Sequence, residues 1–368
     1  MIIGRYIISD IIKTFLALTG ILLFIAISNR LVRLIAKAAV GEISPNILIK
    51  LTSLYIPELI AFLLPLSLFI AIVLSLSRAF VDQEIPVLFA CGFSWAHLVK
   101  WCLGLASGLM LIAGVLSLYL VPKIEVMKTT LVGEQDPKTI LESIAPGRFH
   151  TLFNNKVVFY VEAFSSDRRV LKEIFIAEQP AVLPDADEDW SVITAKTGEV
   201  VKRENGQIYL ELKNGARYNG TPGEKDYTIV EFERFGRVLE RPEQSGELMY
   251  HRTMSTQYLL TAKQPSEQAE LHWRLAIPLS MPILALLAIP LSQVSPRKGR
   301  FGKLLPAIIL YVVYYNLLML AKRWIEGGQI VGTLGLWWVH LMTLLFAMGL
   351  LMQVSGYWHQ FKMRLMNK

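Results

Sequence analysis

The chain has 368 residues, of which 53% are hydrophobic and only 18% charged. Soluble globular chains carry about a quarter charged residues, which excludes an ordinary water-soluble fold for the chain as a whole. The net charge of +7 does not indicate nucleic acid, because the basic residues sit at the ends of apolar runs and not together on one soluble face. Residues 122–271 hold 19 Lys+Arg and 24 Asp+Glu, and the remainder holds 18 basic and only 6 acidic residues. The middle therefore reads as a water-soluble domain and the flanks as membrane.

About 20 mainly apolar residues are needed to cross the hydrocarbon as a helix. Three stretches before the middle domain qualify, near Ile11–Ser28, Leu51–Ser77 and Leu98–Val121. The third contains Gly104-x-x-x-Gly108, small residues that permit close helix approach. The first is long, and Ser28-Asn29-Arg30 offers no small-residue cleavage site, so it reads as a span and not as a signal peptide.

At the far end of the first span, Arg30, Arg33 and Lys37 fall at spacings of three and four, which puts them on one helix face. Such a ladder suits an anionic partner such as a lipid phosphate, since arginine can bind phosphate oxygens bidentately. The plainer alternative is snorkelling at a helix end. In the second span, Pro57-Glu58 and Leu64-Pro65 imply a kinked helix, with Glu58 near the outer interface beside a cation.

Between the second and third spans lies Arg78–Lys100, RAFVDQEIPVLFACGFSWAHLVK. It is too short for a domain, yet sets apolar Ile85, Leu88 and Phe89 beside acidic Asp82 and Glu84, with Gly92 following. This predicts a short amphipathic helix at the membrane surface. Either it docks into a groove on a soluble motor protein, or it only anchors the loop. Gly92-Phe93-Ser94-Trp95-Ala96 lacks the strand–turn–helix setting and the last glycine of a nucleophile elbow. Cys91 and Cys102 would be about 16 Å apart on one continuous helix, too far for a disulfide.

The insert reads as β. Gln207–Lys213 alternates Ile208, Leu210 and Leu212 with polar residues, and Asn205-Gly206 and Asn214-Gly215 are hairpin-turn signals. Lys156–Ala163, Leu171–Ala177, Ser191–Lys196 and Tyr227–Phe235 are further strands, with a polar loop at Pro184–Asp189. About six to nine short strands of this kind suggest a sandwich or jellyroll. A linker, partly helical, is expected from Pro242 to Glu270.

Three more spans follow, near Leu275–Val294, Leu304–Ala321 and Leu334–Val354. The fifth carries Tyr311, Tyr314 and Tyr315, with Lys322 and Arg323 at its outer end. These read as packing and interfacial anchoring, or as a gate wall against acyl chains. The predicted fold class is an α-helical polytopic membrane protein of six transmembrane helices, three on each side of an inserted all-β, jellyroll-like domain. Its divisions are 1–121 with the loop segment 78–100, 122–271 for the β-domain and linker, and 272–368 for the last spans and tail. With both termini inside, short inner segments hold eleven basic residues against seven outside, which places the insert on the outer side. The outer ends remain unusually basic.

Gly299-Arg300-Phe301-Gly302-Lys303 lacks the spacing and hydroxyl of a P-loop, and the six histidines show no metal-ligand pattern. The residues thus offer no catalytic group, metal site or cofactor, and uphill transport would need a partner or an ion gradient. An ion-coupled secondary transporter would need ionisable groups at the midplane, where only Glu58 is a candidate. A membrane enzyme would need convergent catalytic groups, and none cluster. A structural anchor would leave the loop segment and the basic ladder without a role.

Over essentially its whole length the chain resembles the lipopolysaccharide export permeases, the LptF/LptG (YjgP/YjgQ) family. The stretches that carry the resemblance are Arg5-Tyr6, Arg30-Leu31-Val32-Arg33, Pro57-Glu58, Leu64-Pro65-Leu66-Ser67-Leu68-Phe69 and Glu84-Ile85-x-Val87 leading to Ala90-Cys91-Gly92. Trp273-Arg274, Pro290-Leu291-Ser292 and Pro296-Arg297-x-Gly299-Arg300 complete the set. The Ala-Cys-Gly and Pro-Arg-x-Gly-Arg stretches look more like the F-type than the G-type subunit.

The resemblance implies a multi-pass inner-membrane protein with cytoplasmic termini and a periplasmic jellyroll. Its implied partners are a G-type permease subunit, two copies of a cytoplasmic ATPase, periplasmic jellyroll bridge proteins, a single-span subunit and lipopolysaccharide itself. Glu84 would then face a basic residue of the ATPase within a coupling helix formed with Asp82, Ile85, Leu88, Phe89 and Gly92. Arg30, Arg33 and Lys37 would meet lipopolysaccharide phosphates, and the first and fifth spans would form lateral gates. One departure is Pro86, which disfavours helix at Ile85 and would start the docking helix there.

Overall fold

The computed structural model describes residues 2–39, 43, 45–133, 146–152, 157–165, 170–178, 190–202, 208–221, 227–238, 251–295, 299, 301–330 and 335–356. The loop at Pro184–Asp189 and the Asn205-Gly206 turn lie outside these residues. The chain forms two compact units, one of Met1–Ser28, Leu54–Val126 and Tyr250–Lys368, the other of Asn29–Ser53 and Met127–Met249.

Among the described residues, six helices are long and apolar enough to cross a membrane. Helix α1 (Ile2–Ala39) is a single uninterrupted helix, and α2 (Leu48–Val81) carries Pro57 and Pro65 in its interior. After the short α3 (Glu84–Ala90), α4 (Trp95–Val115) passes through a π-helical turn at Leu116–Leu120 into α5 (Val121–Gly133). Beyond the β-domain come a single turn α6 (Thr256–Leu259), α7 (Pro265–Leu291), α8 (Leu304–Glu326) and α9 (Trp337–Val354). The second and fourth spans are the inner ones, each with 67% of its most apolar window buried, whereas α1 has 11%. A helix that apolar and that bare turns its free surface to lipid or to another subunit.

Helix α7 contains Pro278, Pro282 and Pro290. Each lacks an N–H and frees a carbonyl four residues earlier, which in hydrocarbon must find another donor. The carbonyl of Arg274, freed by Pro278, accepts from Ser117 Oγ of the π turn at 2.9 Å. At the other end of α7, the buried carbonyl of Ser292 accepts from Ser77 Oγ at 3.1 Å.

The β-domain is one antiparallel sheet whose six described strands pair in chain order. They are β1 (Phe149–Leu152), β2 (Val157–Phe164), β3 (Val170–Glu178), β4 (Trp190–Lys202), β5 (Ile208–Gly220) and β6 (Thr228–Val238). One face buries Val157, Phe159, Val161, Leu171, Ile174, Ile176, Ile193, Leu210 and Leu212.

Asn214-Gly215 is not the hairpin turn expected from its sequence, since β5 runs straight through it. Asn214 takes φ 55° and Glu173 φ 49°, within strands whose pairing register is the same on both sides. The register aligns Glu162, Glu173, Lys196, Asn214 and Glu233 across five strands. Along this line the core-facing positions step by three instead of two, as at Leu171–Ile174 and Leu212–Gly215 in the pairing order. The left-handed residues therefore crease the sheet instead of reversing the chain. Asparagine tolerates that conformation. Gly215 is required beside it, because a Cβ there would lie 2.1 Å from the Thr194 carbonyl and 2.7 Å from the Phe232 ring.

Candidate functional site

The loop between the second and third spans is shorter and more ordered than the sequence suggests. Helix α2 continues to Val81, Gln83 caps α3 with φ 63°, and α3 begins at Glu84, two residues before Pro86. Proline is tolerated there because N–H groups in a helix's first turn have no intrahelical partner.

Helix α3 divides cleanly into two faces. Ile85 is fully buried, Leu88 and Phe89 pack against the membrane core, and Phe89 lies 5.0 Å from the Trp95 ring and 6.4 Å from Phe80. The three apolar residues expected to meet a partner are thus the ones that seat the helix on α2 and α4. What remains outward is Asp82, Glu84, Val87, Cys91 and Gly92, with Val87 59% exposed. Gly92 takes φ 92° and turns the chain towards α4, where Ser94 and His97 form a capping box.

The same surface receives the start of α1. Tyr6 donates to Glu84 Oε1 at 3.2 Å, Asp10 pairs with Arg78 at 3.1 Å, and Ser75 Oγ meets Thr14 Oγ1 at 3.0 Å. Gly4 lets the helix lie against Trp101, whose indole would be 2.8 Å from a Cβ. Sequence reasoning gave Asp10 and Thr14 no role and used Tyr6 only within the Arg5-Tyr6 stretch of the resemblance. Their signal was a spacing of four, one position ahead of the buried row Ile7, Ile11 and Phe15.

Arg30, Arg33 and Lys37 all lie on α1, where the helix keeps them on one face, with Arg33 and Lys37 exposed and Arg30 half-buried. The tyrosines of α8 turn inward. Tyr314 meets His340 Nδ1 at 2.9 Å, Tyr311 stacks on Phe69, and Tyr315 stands edge-on to Phe62 and Trp273. The space left among them is about 20 Å³, room for a water and not for an acyl chain. Arg323 is exposed, while Lys322 bonds Glu270 at 3.2 Å and approaches Glu326 at 3.7 Å.

A second centre surrounds Arg274, which the sequence marked only as part of the Trp273-Arg274 stretch of the resemblance and whose side chain is 4% exposed. Its guanidinium donates to Glu270 Oε1, to the carbonyls of His251, Arg252 and Met254, and to Thr256 Oγ1. Thr256 in turn donates to the Leu118 carbonyl in the π turn. Glu58 pairs with Arg252 at 3.4 Å, the cation expected beside it. One arginine thus ties the segment returning from the β-domain to the third and fourth spans. Among the described residues no cluster of three or more His, Cys, Asp or Glu side chains could hold a metal ion.

Six apolar spans with an antiparallel β-domain inserted after the third define a multi-pass membrane protein of the 3+3 type. The chain belongs to the family Lipopolysaccharide export system permease LptF/LptG, which it matches over residues 5–353. It is 30% identical over 347 residues to the lipopolysaccharide export system permease protein LptF of Escherichia coli K12, covering 94% of this chain and 93% of that protein. The protein of the same name from Shigella flexneri matches to the same extent. Family membership makes this chain a transport subunit, a permease for lipopolysaccharide export.

Proposed function

We propose that the chain is the F-type half of a membrane channel, paired with a G-type permease subunit, that draws lipopolysaccharide from the inner membrane. It passes the lipid through its periplasmic β-domain to jellyroll bridge proteins, beside a single-span subunit. Both termini are cytoplasmic, and the energy comes from two copies of a separate cytoplasmic ATPase docked on the loop at Asp82–Gly92. Arg30, Arg33 and Lys37 receive the lipid's phosphates.

The observation that carries this reading is the division of α3. Ile85 is buried and Leu88 and Phe89 are half-buried in seating it, so an acidic and partly apolar surface of Asp82, Glu84 and Val87 is left, and Val87 stays 59% exposed among the described residues. A helix held that firmly can transmit force from a partner, and Glu84 supplies a carboxylate for a partner's cation. Glu84→Ala is expected to weaken recovery of the ATPase in a detergent pull-down while membrane insertion is unchanged. Undiminished recovery would remove the coupling claim.

A further inference from the structure

The loop that carries the proposed docking surface is itself in contact with the first helix. Tyr6, Asp10 and Thr14 stand at successive spacings of four on α1, and they meet Glu84, Arg78 and Ser75. Residues four apart on a helix form one ridge, so these contacts make one polar row. The adjoining ridge of Ile7, Ile11 and Phe15 is buried in the core that also holds Ile85 and Leu98. Polar and apolar rows together fix both the depth and the rotation of α1 against the loop.

We propose that Tyr6 and Asp10 lock the first span to the coupling segment, so that motion imposed on the segment is delivered to the first span. This rests on the docking role of Glu84. Tyr6 engages only Oε1 of Glu84, and a carboxylate has about four acceptor sites. Oε2 remains for a cation of the ATPase, with the tyrosine holding the carboxylate's orientation. Asp10 acts on Arg78, the last basic residue of α2 before the loop, so α1 is held on both sides of the turn at Asp82 and Gln83.

The rod suits the task. Eighteen residues separate Asp10 from Ser28, which at 1.5 Å per residue is about 27 Å, close to the thickness of the hydrocarbon core. No proline interrupts α1, whereas α2 has two, so the part of α1 up to Ser28 lacks the commonest cause of a helix kink. Tyr6 and Asp10 are positioning residues in this scheme.

The test uses the full complex of this chain with its partner subunit and ATPase, reconstituted in proteoliposomes loaded with lipopolysaccharide. Tyr6→Phe deletes one hydroxyl from a half-exposed ring and opens no cavity. It is expected to leave ATPase recovery unchanged while lipid exported per ATP hydrolysed falls about tenfold, the effect of losing one hydrogen bond to an ionised group. Asp10→Arg is expected to uncouple in the same way, and the double variant Asp10→Arg with Arg78→Asp to return the ratio to within about twofold of the parent, as a direct pair should.

An unchanged export-to-hydrolysis ratio in Tyr6→Phe with the ATPase still bound would overturn the lock and leave the docking role of Glu84 standing. Loss of ATPase from Tyr6→Phe would also overturn it, by making Tyr6 part of the docking surface. Full ATPase binding by Glu84→Ala would instead remove the docking role itself.

Discussion

Replacing Arg274 with methionine keeps most of the side chain's length and deletes its donors. In the parent, the guanidinium is 3.0 Å from Glu270, 2.9 Å from the carbonyls of Met254 and Arg252, 3.3 Å from that of His251 and 3.2 Å from Thr256 Oγ1. Glu270 is not stranded by the change, because Lys322 still bonds its other oxygen at 3.2 Å. The loss therefore falls on the three carbonyls of the returning segment.

A buried acceptor left without a donor costs about 1–3 kcal/mol. Water reaches part of this half-buried segment, so roughly 2–4 kcal/mol is the expected local loss. At 1.4 kcal/mol per decade, amide exchange across residues 251–259 should rise by about 30- to 1,000-fold. Arg274→Lys keeps the charge but replaces a five-donor fork with a point donor, and should fall between the two. Hydrogen-exchange mass spectrometry on the detergent-solubilised chain reads this directly. A rise of less than about threefold in Arg274→Met would show that the connector is held by something else.

Three further outcomes are expected. Arg30→Ala combined with Arg33→Ala should lower crosslinking to lipopolysaccharide without loss of assembly with the partner subunit, and unchanged crosslinking would return both residues to helix-end snorkelling. Gly215→Ala places a methyl on the Thr194 carbonyl, which backbone cannot evade, and should destabilise the β-domain by about 1–3 kcal/mol in thermal or urea unfolding. An unaltered midpoint would mean that the crease can relax. Tyr314→Phe takes the hydroxyl from His340 Nδ1, whose other ring nitrogen already lacks a partner, and should cost about 1–3 kcal/mol of stability with ATPase recovery unaffected. A normal melting temperature would count against an inward packing role.

The spans were legible because hydrocarbon imposes a single rule on length and polarity. All six appear where hydropathy puts them, though α1 and α2 extend beyond their apolar windows. The strands were legible only in part. Alternation located five of them but ended β4 at Lys196 and β5 at Lys213, where the step of three at the crease breaks the period of two. β1 was too short to register. Asn214-Gly215 carries the chemistry of a turn, and only the neighbouring strands decide that the same dihedral bends a sheet.

The charges misled in an instructive way. Arg274 and Lys322 counted as loop residues against the topology rule, yet they are engaged with Glu270 and with backbone carbonyls. Part of the puzzling basic excess at that end is therefore neutralised within the chain. In the loop segment, amphipathicity showed that α3 has two faces but not which one the protein itself consumes. The contacts of Tyr6 and Asp10 escaped notice because their partners lie 60 to 80 residues away, a separation no local pattern reports.

The prolines of α7 bear on how the protein is made. A hydrophobic segment ordinarily leaves the insertion machinery with its own ladder complete, ready to sit alone in lipid. This one arrives with an acceptor at Arg274 that its own backbone cannot satisfy, and the hydroxyl that completes it belongs to Ser117, synthesised long before. The first half of the polypeptide thus acts as a template already waiting in the bilayer, and translation order supplies the helper before the helix that needs it.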